Sequence, residues 1–200
     1  MEGLAQTISE ASERFGSLES KRDYACIRSR SIIRMTKNMI HAIHVGEDCS
    51  QIRAELSEEV SSMIEGLKDE TIILNSAVAE DALMEYAEAC IFYAARNGKR
   101  IPSFTELGIS PQSWTLGLAD SIGELRRSIL TSLSDGDLDD ARTLFSRMEE
   151  MNDALMGFDI PDAIVPIRRK QDVARGIVEK TRSDLTNAVI MSKSALIVRD

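Results

Sequence analysis

The chain has 200 residues, of which 43% are apolar, and a formal net charge of −9. This length allows one domain with a large buried core, and the negative charge argues against a nucleic-acid-binding surface spread over the whole protein. Only 4% of the residues are aromatic, and all four prolines lie from Pro102 onward, so the first half permits long helices. Because alternating strand patterns are few, we predict an all-α fold with a single domain over residues 1–200.

The three cysteines, Cys26, Cys49 and Cys90, form no Cys-x-x-Cys or Cys/His cluster. We therefore expect neither a disulfide framework nor a structural zinc site. The first residues lack the basic and apolar regions of a signal peptide, and no apolar run approaches the roughly 20 residues of a membrane span. We expect a cytoplasmic protein that has no membrane as a partner.

Apolar residues at spacings of three, four and seven predict a long first helix over about 4–44, which Gly46 ends. A second helix is predicted over about 49–67. A third is predicted over about 71–97, where Asn97-Gly98 is a good C-terminal pair.

The second half of the chain has clear helix-start signals. The Ser-x-x-Glu sequence at residues 103–106 is a capping box and predicts one short helical turn. Ser110-Pro111 places an N-cap before a proline and predicts a helix over about 111–133. Two further helices are predicted over about 138–156 and 167–197. The expected architecture is a single seven-helix bundle, with six long helices and one short helix.

Charged residues are grouped along the chain. Residues 21–37 and 168–182 are mainly basic, whereas residues 47–88 are strongly acidic. Such blocks would give an acidic protein a positive face. The alternative is that they are the solvent-exposed faces of successive helices.

Two pairs of carboxylates lie within apolar stretches of predicted helices. Glu85 and Glu88 are spaced i,i+3, and Asp120 and Glu124 are spaced i,i+4, so each pair lies on one face of its helix. Like charges at this spacing repel, and a fold gains no stability from them. If the two pairs face each other, they form a pocket that suits Mg²⁺ or Mn²⁺. The alternative is that all four are ordinary exposed acids.

Two glycines, Gly117 and Gly123, lie on either side of Asp120 with no turn between them. Glycine inside a helix costs roughly 1 kcal/mol relative to alanine. Close helix packing or room for a ligand would explain their presence.

Residues 85–89, Glu-Tyr-Ala-Glu-Ala, resemble the Glu-Tyr-Val-Glu-Ala motif of Trax proteins. Residues 116–125 resemble the Leu-Gly-x-Ala-Asp-x-x-Gly-Glu-Leu segment of the same family, and Gly136-Asp137 matches the turn that follows it. Residues 21–44 resemble the family's first helix, with its basic residues and closing Ile-His, and residues 161–175 resemble archaeal members. The chain is thus similar to the translin/Trax family over nearly its whole length.

This resemblance implies a seven-helix fold that assembles into closed, hollow homo-oligomers such as an octamer. It also implies binding of single-stranded RNA or single-stranded DNA and, for Trax, a metal-dependent endoribonuclease activity. Matched to the two motifs, the catalytic and metal-binding residues are Glu85, Glu88, Asp120 and Glu124, with Mg²⁺ or Mn²⁺ as the cofactor. Within this set, Glu85 is either a metal ligand or the general base.

Phosphate contacts are expected from basic side chains on two of the helices, namely Arg30, Arg34, Lys37, Arg126 and Arg127. Solubility or ion pairs between subunits would explain the same residues. His41 and His44 are placed to contact RNA or a metal, although a favourable position at a helix C-terminus is the simpler interpretation. Tyr86 and Trp114 are candidates for stacking on bases, with a core or interface role as the alternative for Trp114.

Three other functions remain open at this point. The first is a non-catalytic nucleic-acid-binding oligomer of the translin type. The second is a di-iron carboxylate bundle, which is disfavoured because the sequence contains no Glu-x-x-His motif. The third is a helical scaffold without a site.

Overall fold

The computed structural model describes residues 3–197, with side chains described through residue 194. Six long helices are present, namely α1 Leu4–Val45, α2 Ser50–Leu67, α4 Ala77–Arg96, α6 Pro111–Ser134, α7 Leu138–Met156 and α8 Arg168–Ile197. Two single turns, α3 Thr71–Leu74 and α5 Phe104–Leu107, complete the described part. Residues 3–197 contain no strand, and the all-α prediction is confirmed. No helix among these residues combines the length and the apolar character needed to cross a bilayer.

Local signals end and begin most helices where the sequence predicts. Gly46 follows α1 with a φ of 74°, a left-handed conformation that favours glycine. Ser103 and Glu106 form the reciprocal capping box that starts α5. Ser110 caps α6, and Pro111 is its first residue. The predicted bounds of these helices are therefore confirmed to within about two residues.

The third predicted helix was wrong in one respect, because residues 71–97 form two helices. α3 ends at Leu74, and Ser76 is extended, with a ψ of 152°, before α4 begins at Ala77. Asn75 and Ser76 are residue types that favour helix ends, but the apolar periodicity of the segment continues across them. The fold is the predicted bundle with one additional helical turn.

α4 and α6 pack against each other at the centre of the bundle. α1 packs on α4 and α2 on α1, while α7 and α8 pack on α6 and on each other. The core between them contains large, fully buried apolar side chains, among them Ile32, Met39, Phe92, Ile122, Leu125 and Met148.

Gly117 allows the close approach of α4 and α6. A Cβ atom at this position would lie 2.7 Å from both the Cβ of Ala87 and the carbonyl oxygen of Met84. No side chain fits there unless the two helices move apart, which confirms close packing as the reason for this glycine. At Gly123 a Cβ would meet no atom within 4 Å, so close packing does not explain the second glycine.

Candidate active site

The four predicted carboxylates lie on either side of the contact between α4 and α6. Gly117 packs against the backbone of Met84 and Glu88, and Asp120 and Glu124 follow Gly117 on the same face of α6. The charges of Asp120 and Glu124 both raise the pKa of Glu88 across this contact. All four side chains are half-buried. The two acidic pairs therefore face one region and do not point to opposite sides of the bundle.

Glu88 is the most perturbed of the four carboxylates. Burial, followed by the nearby charges of Asp120, Glu85 and Glu124, raises its pKa from 4.5 to about 8. Burial also raises the pKa of Glu85, while the positive charge of Lys37 acts in the opposite direction. With a pKa of about 8, Glu88 is mostly protonated at neutral pH, and a nearby cation would favour its charged form.

Asp120 pairs with a lysine of the last helix. The ammonium group of Lys170 donates to both carboxylate oxygens of Asp120, each at 2.5 Å. The two side chains remain 29% and 31% exposed, so the pair lies at the edge of the site. Lys170 belongs to the basic segment 168–182, but its contact with Asp120 was not predicted.

Glu124 pairs with a histidine of the first helix. The Nε2 atom of His44 lies 2.5 Å from a Glu124 oxygen, and this contact is the main cause that lowers the pKa of Glu124. The imidazole packs against the ring of Phe92, with 4.8 Å between centroids, and its other nitrogen lies 3.3 Å from the Ser128 hydroxyl. His44 also lies in the last turn of α1, as expected. Its contact with the acidic site was not predicted.

The contacts of Asp120 with Lys170 and of Glu124 with His44 limit the access of a metal to these two carboxylates. Among the residues that the structure describes, no three acidic, histidine or cysteine side chains are arranged to hold an ion. Asp120 is turned towards Lys170 and Glu124 towards His44. The donor set nevertheless fits a hard divalent cation, because it is made of carboxylates and one of them, Glu88, is half-buried near three like charges. Binding would require Asp120 and Glu124 to change their partners.

The predicted basic residues differ in their surroundings. Arg30, Arg34 and Lys37 are exposed on α1, and Lys37 is near enough to Glu85 to affect its pKa. Arg127 is 61% exposed and lies 4.0 Å from Glu124. Arg126 instead bonds to Thr181 and pairs with Asp184, so its guanidinium group connects α6 to α8.

The two residues predicted to stack on bases, Trp114 and Tyr86, are packed into the protein. Trp114 donates its indole N–H to the Pro102 carbonyl at 2.8 Å and packs against the core, which supports the anchoring role. Tyr86 is buried, with only 4% exposed.

His41 is exposed on α1. Cys49 and Cys90 are buried and Cys26 is half-buried, and all three are free thiols.

Comparison with known proteins finds relatives that match most of the chain. No protein-family model matches the chain. An uncharacterised protein of Methanocaldococcus jannaschii is 34% identical over 173 residues, which cover 86% of this chain and 78% of the relative. The crystal structure of AfC3PO is 32% identical, with a TM-score of 0.77 and coverage of 92% of this chain and 98% of AfC3PO.

Two further solved structures share the fold. AfC3PO bound to duplex RNA matches at 30% identity and a TM-score of 0.76, covering 92% of this chain and 97% of that one. Apo-NeC3PO matches at 23% identity and a TM-score of 0.82, covering 90% of this chain and 96% of its own. These C3PO structures belong to the translin/Trax family.

Proposed function

This chain belongs to the translin/Trax family, and on that premise we propose that it binds single-stranded RNA and hydrolyses its phosphodiester bonds with a divalent cation. The cation would be Mg²⁺ or Mn²⁺, held by carboxylates of α4 and α6. The structure of AfC3PO with duplex RNA supports the choice of RNA as ligand. We further propose that the protein acts as a homo-oligomer, which we expect to be closed and hollow, and binds single-stranded DNA in the same way.

One observation carries the nuclease proposal. Glu88 is half-buried near three other carboxylates, and its burial together with their charges raises its pKa to about 8. Such an arrangement destabilises a metal-free fold, because charges of one sign are kept close together at low solvent exposure. A bound cation would offset this repulsion and supply a reason for four acids in this place.

Each acidic residue has a proposed role. Glu88, Asp120 and Glu124 would be the ligands of the cation, and Glu85 either a further ligand or the general base that accepts a proton from the attacking water. The cation would make a water molecule more acidic and offset negative charge on the phosphate. Lys170 and His44 position Asp120 and Glu124 through the contacts described above.

The RNA backbone would bind along the exposed basic side of α1. The proposed phosphate contacts are Arg30, Arg34 and Lys37. Of these, Lys37 is near enough to Glu85 to affect its pKa. Arg127 would contact a phosphate beside Glu124. Arg126, which was predicted with them, already pairs with Asp184 and is the weakest candidate.

A cleavage assay with single-stranded RNA and Mg²⁺ or Mn²⁺ tests the proposal. Glu88→Gln and Asp120→Asn should each lower the cleavage rate at least 100-fold, because each removes a charged ligand. Glu58→Gln, an exposed acid on α2, serves as the matched control and should cleave like the parent. If folded, assembled Glu88→Gln and Asp120→Asn proteins cleave as fast as the parent, the proposed site is wrong.

A second function is favoured by a different observation. Lys170 and His44 already bond to two of the four carboxylates, an arrangement that a non-catalytic RNA-binding member of the family could keep without any metal. That protein would bind RNA equally well in the presence of a chelator and would release no cleavage product with either cation.

A further inference from the structure

The N-terminal part of α1 extends beyond the rest of the bundle. Residues 4–18, which we name the N-terminal arm, are all exposed except Leu18, which is half-buried. At about 1.5 Å per residue the arm is roughly 20 Å long. A helix of this length is marginally stable in water without a packed face. A surface that covers the arm would therefore stabilise it.

A regular apolar stripe runs along the arm. Its residues follow one another at spacings of four, three, four and three, namely Leu4, Ile8, Ala11, Phe15 and Leu18. Three of them are strongly exposed, Leu4 at 47%, Ile8 at 57% and Phe15 at 68%. This spacing is that of a coiled-coil seam.

The stripe continues in register into the packed half of α1. Ala25, Ile32 and Met39 follow Leu18 at intervals of seven and are all buried, with at most 1% exposed. The seam of α1 is thus covered by α2 and α4 in its second half and uncovered in the arm. An exposed continuation of a core seam indicates a protein interface.

We propose that the arm pairs with the arm of a second copy of this chain, antiparallel, around a two-fold axis at Ala11. In this register Leu4 lies level with Leu18 of the partner subunit, and Ile8 lies within about 1.5 Å, along the helix axis, of the level of Phe15 of the partner subunit. The small Ala11 residues face each other and let the helices approach, while large side chains fill the layers on both sides. The stripe is therefore complementary to itself, as a two-fold interface requires.

The charges beside the stripe agree with self-pairing. The flanking residues Ala5, Thr7 and Ser12 are uncharged. Arg14 is already paired with Glu70 of its own chain, at 2.5 Å. The other charged residue beside the stripe is Glu19, which in this register would lie near Ala5 of the partner subunit, so no like charges would meet.

The charges of the N-terminal arm do not favour RNA as the molecule that covers its apolar stripe. The arm and the two residues after it carry three acids, Glu10, Glu13 and Glu19, against the single basic residue Arg14. An acidic surface repels the phosphate backbone. Additional exposed apolar side chains lie at the base of the arm, Ile72 at 74% on α3, which packs on α1, and Val78 at 44% on α4. They would add apolar area where the end of the partner's arm arrives.

Sedimentation of the full chain tests the interface without RNA or metal, so its result is independent of the nuclease proposal. Phe15→Asp should lower the sedimenting mass at least twofold relative to the parent. Ile27→Asp is the matched control, since Ile27 is 67% exposed on the same helix but outside the stripe, and it should leave the mass unchanged. The proposal is overturned if the parent sediments as a monomer, if Phe15→Asp retains the parent's mass, or if Ile27→Asp lowers it equally.

Cysteine cross-linking tests the antiparallel register. Leu4→Cys and Leu18→Cys are each made in a Cys26→Ser background, which removes the native half-buried thiol of α1. On oxidation, a mixture of the two proteins should form the cross-linked dimer, because the antiparallel pair brings these positions within disulfide reach. Leu4→Cys alone should not. Cross-linking of Leu4→Cys to itself, or no cross-link in the mixture, would overturn the register.

Discussion

Lys170, in the first turn of α8, holds both carboxylate oxygens of Asp120 on α6 at 2.5 Å. The ammonium group therefore lies where a divalent cation would approach Asp120. It offsets part of the charge in the acidic site and competes with a metal for the same oxygens. In the absence of a metal, the ammonium group of Lys170 thus takes the place of the cation beside Asp120.

Replacing this lysine should change stability and metal response in opposite senses. Lys170→Met should lower the free energy of unfolding without metal by about 1 kcal/mol, as expected for a partly exposed ion pair. It should also increase the rise in melting temperature that Mn²⁺ produces, since Asp120 becomes free. Thermal denaturation with and without Mn²⁺ measures both effects, and Lys180→Met, exposed on the same helix, is the control. A Mn²⁺ response equal to that of the parent would show that Lys170 does not compete.

The two glycines of α6 should respond oppositely to alanine. Gly117→Ala should destabilise the protein by about 1–3 kcal/mol, because its Cβ would lie 2.7 Å from backbone and side-chain atoms of α4. Gly123→Ala should stabilise it by roughly 0.5–1 kcal/mol, since its Cβ meets no atom within 4 Å and alanine favours a helix. Denaturant unfolding measures both free energies. Equal effects of the two substitutions would contradict the close contact at Gly117.

Glu88 should make the metal-free protein less stable as pH rises. Its pKa is raised in the fold from 4.5 to about 8, so the folded protein binds the proton more tightly than the unfolded chain between these values. The stabilisation is complete below about pH 4.5 and is lost as the pH passes 8. At about 1.4 kcal/mol per pKa unit, Glu88 should contribute a loss on the order of 4–5 kcal/mol over this window.

The measurement compares unfolding free energies of the parent and Glu88→Gln from pH 5 to pH 8.5 in a chelator. The difference between the two proteins should grow in favour of the glutamine variant as the pH rises. Glu58→Gln provides the comparison for an exposed acid. A constant difference between parent and Glu88→Gln across this range would show that Glu88 is not in the proposed electrostatic environment.

The basic side of α1 should carry the affinity for RNA. Lys37→Ala should weaken binding of single-stranded RNA about three- to tenfold and reduce the dependence of affinity on salt by about one phosphate contact. Arg142→Ala on α7 removes the same charge from another surface and serves as the control. Binding titrations at several salt concentrations measure the affinity and its dependence on salt. Equal RNA affinities of Lys37→Ala and Arg142→Ala would contradict a phosphate contact at Lys37.

Much of the fold could be predicted because local signals determine helix ends. Gly46, the Ser103–Glu106 capping box and Ser110-Pro111 each act within a few residues, and the structure places helix ends at all three. The interruption at Ser76 was missed, because the apolar period of the surrounding residues outweighs one polar residue in a sequence pattern.

The partners of the carboxylates could not be predicted in the same way. Lys170 meets Asp120 across 50 positions of sequence, and His44 meets Glu124 across 80. Such contacts depend on which helices become neighbours, and no local pattern specifies that. Similarly, the apolar stripe of α1 predicts a buried face along the whole helix, but only the packing of α2 and α4 shows that residues 4–18 remain uncovered.

Calorimetric titration of the protein with Mn²⁺ tests the shared carboxylate site most directly. The parent should bind the cation, and Glu88→Gln should bind it at least tenfold more weakly, while Glu58→Gln should match the parent. Absence of Mn²⁺ binding to the parent, or equal affinity in the parent and Glu88→Gln, would contradict a cation held between α4 and α6.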